Sequence, residues 1–156
     1  MKFTYYKQQD QMDCGPTCLR MVCSYYGRKI PIQKLRELCY INKGGVNLLA
    51  ISEAAEKIGF RTTGVKLSIS QLDEAELPCI LHWRQYHFVV LYKIKNHKYY
   101  MADPAAGLVM LDEADFNRSW QADKENTEGI ALLLAPTPQF YEQEDEKGSE
   151  VRWSFL

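Results

Sequence analysis

The sequence predicts an α+β domain, with helices first and antiparallel strands after. Three observations carry that prediction. The chain has 156 residues, the size of one domain built around one core. Apolar residues recur at helical spacing between residues 14 and 59. From residue 60 onward the pattern changes to short β-rich runs separated by turn residues.

The first helix follows Asp13-Cys14-Gly15-Pro16. Its apolar residues, Cys14, Cys18, Met21, Val22 and Tyr25, repeat with a period near 3.6 until Gly27 stops it. Pro16 suits the first turn, where its missing N–H would have no partner. A second helix is expected from Pro31 to about Tyr40, with Ile32, Leu35 and Cys39 on one face. A third begins at Asn47, a suitable N-cap, and runs through Leu48, Ile51, Ala55 and Ile58 to Gly59. The predicted strands are Phe60–Leu67, Cys79–Trp83, Phe88–Ile94, Lys98–Asp103, Leu108–Leu111 and Gly129–Ala135. A short turn or helix is expected at Ser68–Asp73, and another helix near Glu113–Trp120. The unbroken apolar run of Phe88–Ile94 marks a central strand covered on both faces. The helices are expected to pack on one side of the sheet.

Composition excludes several classes. With 46% hydrophobic and 25% charged residues the chain is an ordinary globular sequence, too apolar for disorder. Nineteen Lys+Arg against twenty Asp+Glu give a net charge of −1, so no nucleic acid partner is indicated. The longest apolar stretch, about Ile130–Ala135, is far short of a membrane span. The N-terminus has no apolar signal-peptide core. Five cysteines, an odd count in a chain this large, point to free thiols in a reducing compartment. Residues 137–156 hold two basic and five acidic side chains and few aliphatic ones until apolar residues return at 151–156. That boundary predicts a domain at residues 1–136 and an acidic linker at 137–156 leading toward something absent from this chain.

The strongest chemical signal is Gln8-Gln9-Asp10-Gln11-Met12-Asp13-Cys14-Gly15-Pro16-Thr17-Cys18. It sets a cysteine where an extended segment becomes a helix, and a helix N-terminus carries roughly half a positive charge, which favours a thiolate. Gly15 is expected to leave the sulfur open to a substrate. Gln8 can fold its amide back beside the sulfur, where with the Cys14 backbone N–H it would hold a developing oxyanion. The competing role for Cys14 is a small buried apolar residue.

A thiolate nucleophile needs a proton carrier, usually histidine. Three are available. His97 reads as a solvated turn residue and His82 as a core histidine beside Trp83. His87 opens the central strand, and Asp103 ends its partner strand, where it can fix the imidazole tautomer. Register decides whether they meet. With a two-residue turn at Asn96-His97, Asp103 falls opposite Val90, on the wrong face for His87. An odd-length connection, or a bulge between the two residues, would make them diagonal neighbours on one face. An amide in place of Asp103 would be free to hold the wrong tautomer.

Cysteine at a helix start, then histidine on a strand, then a carboxylate on the next strand is the chain order of papain-like cysteine peptidases. More closely, the sequence resembles the N-terminal peptidase domain of peptidase-containing bacteriocin ABC transporters, the double-glycine leader peptidases. The residues that carry the resemblance are Gln8 with Asp13-Cys14-Gly15-Pro16-Thr17-Cys18-Leu19, and Gly45 with Ala54-Ala55-Glu56-Lys57-Ile58-Gly59-Phe60. They continue with Pro78-Cys79-Ile80-Leu81-His82-Trp83, His87-Phe88-Val89-Val90-Leu91 and Asp103-Pro104-Ala105, so that about residues 4–135 are covered.

The resemblance implies a papain-like fold and a cysteine endopeptidase cutting leader peptides after a Gly-Gly pair. Cys14 would be the nucleophile, His87 the general base and then acid, Asp103 the residue orienting His87, and Gln8 the oxyanion donor. It also implies partners: a precursor peptide whose amphipathic leader helix lies in a groove, and the transmembrane and ATPase domains of a parent transporter. The location implied is the cytoplasmic side of the membrane, with this fragment soluble by itself. Trp83 and Tyr86 are expected walls of a channel too narrow for a Cβ at the two residues before the cut.

Other readings remain beside this one. Cys14 and Cys18 with His82 and His87 offer a zinc site, but the Cys-x3-Cys spacing fits structural zinc sites poorly, and a closed site leaves no nucleophile. No metal and no cofactor are therefore expected. Cys18, Cys23, Cys39 and Cys79 fall on apolar faces. A transferase or isopeptidase with the same triad, and a module that binds leaders without cutting them, remain alternatives.

Overall fold

The structure is a computed structural model that describes residues 2–40, 46–121 and 127–143. Three helices come first: α1 (Cys14–Tyr25), α2 (Ile32–Cys39) and α3 (Leu48–Ile58). The rest alternates strands with short helices: β1 (Phe60–Ser68), α4 (Ile69–Leu72), β2 (Cys79–Trp83), β3 (His87–Lys95), β4 (Lys98–Asp103), β5 (Gly107–Asp112), α5 (Glu113–Trp120), β6 (Glu128–Pro136) and α6 (Pro138–Glu142). Local chemistry sets the helix starts. Asn47 accepts the Ala50 N–H at 2.8 Å, Asp112 accepts the Asp115 N–H at 2.9 Å, and Ser68 with Gln71 forms a capping box.

The strands form one antiparallel sheet in the order β1-β6-β2-β3-β4-β5. Both faces of β3 are covered, as its apolar run requires: Phe88, Val89, Val90 and Leu91 are all buried. On one face Phe88 and Val90 join Ile80, Ala102 and Leu132 beneath Cys18, Leu19, Val22, Ile51 and Ala55 of α1 and α3. On the other, Trp83, Val89, Leu91 and Met101 pack with Tyr99 and the α5 residues Phe116 and Trp120. Tyr99 stacks on Phe116 with ring centres 4.3 Å apart. The helices therefore do not share one side. The three N-terminal helices take one face, and α5 crosses to the other, because Val89, Leu91 and Met101 would otherwise face water.

Gly59 ends α3 with a φ of 117°, in the left-handed region. Its carbonyl accepts the Thr137 N–H at 3.0 Å and the Thr137 hydroxyl at 2.6 Å. A Cβ on Gly59 would fall 2.5 Å from the Phe140 backbone. Gly59→Ala is therefore expected to destabilise the domain by at least about 1–2 kcal/mol, the cost of a left-handed residue with a Cβ, before any displacement of α6. Urea unfolding measures this, and an unchanged midpoint would contradict the close approach.

The chain beyond residue 136 differs from expectation. Phe140 is completely buried, and the Arg28 guanidinium lies over its ring and donates to its carbonyl at 2.9 Å. Packing thus continues through α6, past the boundary expected before residue 137. The segment reads as a linker because it is poor in aliphatics, yet one aromatic side chain docks it. The remainder of the expected linker, residues 144–156, lies outside the described residues.

Candidate active site

Cys14 is the first residue of α1 and is half-buried. His87 is the first residue of β3, opposite Trp83 of β2, and Asp103 is the last residue of β4. Two devices bring the last two together. The connection between β3 and β4 is the two-residue turn Asn96-His97, both residues at positive φ, as a tight hairpin requires. The register then shifts between Leu91 and Lys93, so one extra residue, Tyr92, is inserted into β3. Phe3 of the N-terminal segment stacks on the Tyr92 ring at 4.6 Å. Beyond this bulge Val90 pairs with Ala102 and Leu91 with Met101, which turns Asp103 onto the face of His87. Of the two expected solutions, the bulge is the one the chain adopts.

The His87 Nε2 lies 2.7 Å from Asp103 Oδ1, and the Cys14 side chain is close enough to the ring to influence its titration. With Nε2 held by Asp103, Nδ1 is the nitrogen left for the sulfur. Burial alone would lower the imidazole's pKa; the hydrogen bond with Asp103 and the nearby Cys14 side chain outweigh it and raise the value to about 9. Burial likewise pushes the Asp103 carboxyl up, but the hydrogen bond from His87 and those from the Ala105 and Ala106 N–H groups hold it below its ordinary value. Both shifts point to an imidazolium–carboxylate pair. A thiol beside an imidazole that is itself hydrogen-bonded to a carboxylate can generate a thiolate and return a proton to a leaving group.

Gln8 sits beside this group. Its backbone N–H donates to the Pro104 carbonyl at 2.8 Å, next to Asp103. Its side-chain amide donates to the Asp10 carbonyl at 3.0 Å, which uses one of its two hydrogens. Gly15 has a different role from the one expected. A Cβ there would lie 2.6 Å from Val46 Cγ1 and 3.0 Å from Ile51 Cδ1, so the glycine lets α1 approach α3 closely and does not clear a path to the sulfur.

Trp83 is 4% exposed, with its ring 5.4 Å from that of Phe116, and so belongs mainly to the core. It also lines a cavity of about 130 Å³ beside Asp103, together with Arg84, Val89, Met101 and Val109. Tyr86 is 79% exposed on the β2–β3 turn. His82 is partly exposed near Phe88, and His97 lies in the turn 3.5 Å from Glu113. Cys18, Cys23, Cys39 and Cys79 are buried, and burial pushes the Cys39 and Cys79 thiols up to about 12. Among the described residues no three His, Cys, Asp or Glu side chains are grouped to hold a metal ion.

Three residues join the site that sequence reasoning did not single out. The Tyr5 hydroxyl donates to the Asp103 carbonyl oxygen at 2.7 Å, fixing the end of β4. Asp13 is almost completely buried and is paired with Arg36 of α2. No local pattern links residues 5 and 103 or 13 and 36; only the tertiary fold does.

Residues 2–138 match the peptidase C39 family. The chain belongs to that family. Its C39 domain is 35% identical over 133 residues to a probable microcin-H47 secretion/processing ATP-binding protein of Escherichia coli, which covers 85% of this chain and 18% of that protein. It is 34% identical over 138 residues to the lactococcin-G-processing and transport ATP-binding protein of Lactococcus lactis, again 85% and 18%. The chain thus spans under a fifth of the length of these relatives. Among solved structures it resembles a double glycine motif protease from an AMS/PCAT transporter in complex with the leader peptide, with a TM-score of 0.78 and 34% identity, covering 87% of this chain and 93% of that one. It also resembles the peptidase domain of Streptococcus ComA, a bi-functional ABC transporter, with a TM-score of 0.76 and 32% identity, covering 87% and 100%. The α+β architecture is therefore the papain-like fold of C39 cysteine peptidases.

Proposed function

We propose that this C39 domain removes leader peptides from precursor peptides by cutting after a Gly-Gly pair, as part of an ABC transporter that exports the product from the cytoplasmic side of a membrane. The observation that carries the chemistry is the grouping of Cys14, at the start of α1, with the hydrogen-bonded pair of His87 and Asp103. The similarity to a double-glycine protease bound to a leader peptide supports the substrate class. In this reading Cys14 attacks the carbonyl of the second glycine, and His87 protonates the departing amine. Water activated by His87 then hydrolyses the thioester, releasing the leader and restoring the thiol. Asp103 holds the imidazole in place. The membrane part is proposed from the relatives alone; among the described residues no helix is long and apolar enough to cross a membrane.

The test is product analysis by mass spectrometry on a synthetic precursor with a Gly-Gly leader. Two hydrolytic fragments meeting at the second glycine are expected, and no cut in a precursor with Ala-Ala at those positions. Transfer of the leader to an added amine in place of water would favour a transferase instead. Gln8 is proposed as an oxyanion donor through its free amide hydrogen. Gln8→Ala should lower kcat by about 10²–10³-fold, as loss of one such donor does, with KM little changed. A change confined to KM would make Gln8 a binding residue.

A further inference from the structure

Asp13 occupies the N-cap position of α1, directly before Cys14. Aspartate there ordinarily turns its carboxylate onto the N–H of the second or third helical residue. Asn47, Ser68 and Asp112 cap their helices in this way; Asp13 makes no such bond. The third helical residue is Pro16, which has no N–H, so the Gly15 N–H is the capping donor that remains. The Asp13 carboxylate is drawn away from it. Arg36 Nε donates to both of its oxygens at 3.0 Å, Arg36 Nη2 contacts Oδ2, and the Tyr40 hydroxyl donates to Oδ1 at 3.1 Å. Arg36 Nη2 also reaches Gln9 Oε1 at 3.3 Å. Asp13 is 1% exposed, and its backbone is held as well, its N–H on the Asp10 carbonyl and its own carbonyl accepting the Thr17 N–H.

We propose that Arg36 is a positioning residue for the nucleophile: it holds the Asp13 carboxylate off the start of α1, leaving the helix N-terminus to the Cys14 sulfur. A carboxylate capping α1 would set a negative charge against the thiolate and occupy the Gly15 N–H. Paired with Arg36, Asp13 is neutralised and turned toward α2 while still anchoring the turn before the helix. The other charged or titratable groups around Cys14 are His87 from β3, Asp103 from β4, Cys18 one turn along α1, and Tyr5, Asp10 and Tyr40 around the helix start. None of these neutralises Asp13.

The inference rests on Cys14 being the nucleophile, and the experiment separates the two. The pH dependence of iodoacetamide alkylation of Cys14 is followed by mass spectrometry in the folded domain, beside kcat and KM on a Gly-Gly precursor. In Arg36→Met the alkylation midpoint should rise by about one pH unit, a tenfold loss of thiolate below it, with kcat falling and KM steady. Asp13→Asn combined with Arg36→Met removes the stranded carboxylate and should bring the midpoint back to the wild-type value. A wild-type midpoint in folded Arg36→Met overturns the proposal, and so does a double variant as displaced as the single one, since Arg36 would then be a mechanical clamp. Should Arg36→Met fail to fold, Arg36→Lys, which keeps the charge but loses the fork, takes its place; an intermediate midpoint supports the proposal and a wild-type one overturns it. Wild-type protein that still cleaves after complete alkylation of Cys14 would refute the nucleophile assignment itself.

Discussion

Cys14→Ala is expected to abolish cleavage of a Gly-Gly precursor while leaving the domain folded and able to bind the leader. In the proposed mechanism the thiolate forms the covalent intermediate, and nothing else in the site among the described residues can replace it. The Cys18 sulfur lies one turn away but is fully buried, and its thiol is pushed far up by burial and by the nearby Cys14 and Asp103. Removal of a nucleophile in a peptidase triad costs on the order of 10⁶ in turnover, so the residual rate should be indistinguishable from background. Stability should hardly change, because alanine is tolerated in the first turn of a helix and Cys14 is only half-buried. Circular dichroism, leader titration and a cleavage assay on one preparation check all three statements. Cleavage within tenfold of wild type would remove Cys14 from the role proposed for it.

Much of this was legible in the sequence because it is local. The start of α1 at Cys14, the cap at Asn47 and the stop at Gly59 each depend on a few neighbouring residues. Even the meeting of His87 with Asp103 was constrained in advance, since the two-residue turn signal at Asn96-His97 and the alternation of β side chains conflict unless a bulge intervenes. What was not legible is where long-range partners sit. An amphipathic pattern shows that α5 buries a face but not which side of the sheet receives it. The docking of Phe140 on Arg28 and of Asp13 on Arg36 crosses 112 and 23 residues of sequence, and no spacing rule reaches that far. Gly15 was misread for the same reason: its close neighbours Val46 and Ile51 come from another part of the chain.

Asp103 gives the second large effect, and two substitutions there should part company. Asp103→Ala removes both the charge and the acceptor that orient His87, and turnover should fall by about 10²–10⁴-fold, the usual worth of a placed general acid–base. Asp103→Asn is a different case from the one the triad logic alone predicts. Asp103 Oδ1 accepts not only from His87 but also from the Ala105 N–H at 2.9 Å and the Ala106 N–H at 3.3 Å. In the asparagine variant those two N–H groups demand the amide oxygen at that place and exclude the amide nitrogen. The same oxygen then accepts from His87, so the tautomer survives and only the charge is lost. The expected result is a milder fall in kcat than for alanine, with a change in pH dependence. In the wild type the imidazolium persists until pH rises through about 9. Because that value lies above the ordinary 6.5 of histidine, the stability it contributes is complete below pH 6.5 and lost as pH rises through 9. Removing the Asp103 charge takes away the strongest support of the imidazolium after burial is overcome. The alkaline limb of kcat/KM should therefore move down toward neutrality in Asp103→Asn, as should the alkaline loss of stability. A pH–rate profile from 5 to 10 distinguishes the cases: an unmoved alkaline limb would mean that Asp103 does not support the His87 charge, and a variant as inactive as Asp103→Ala would mean that the turn at Ala105 and Ala106 does not hold the amide.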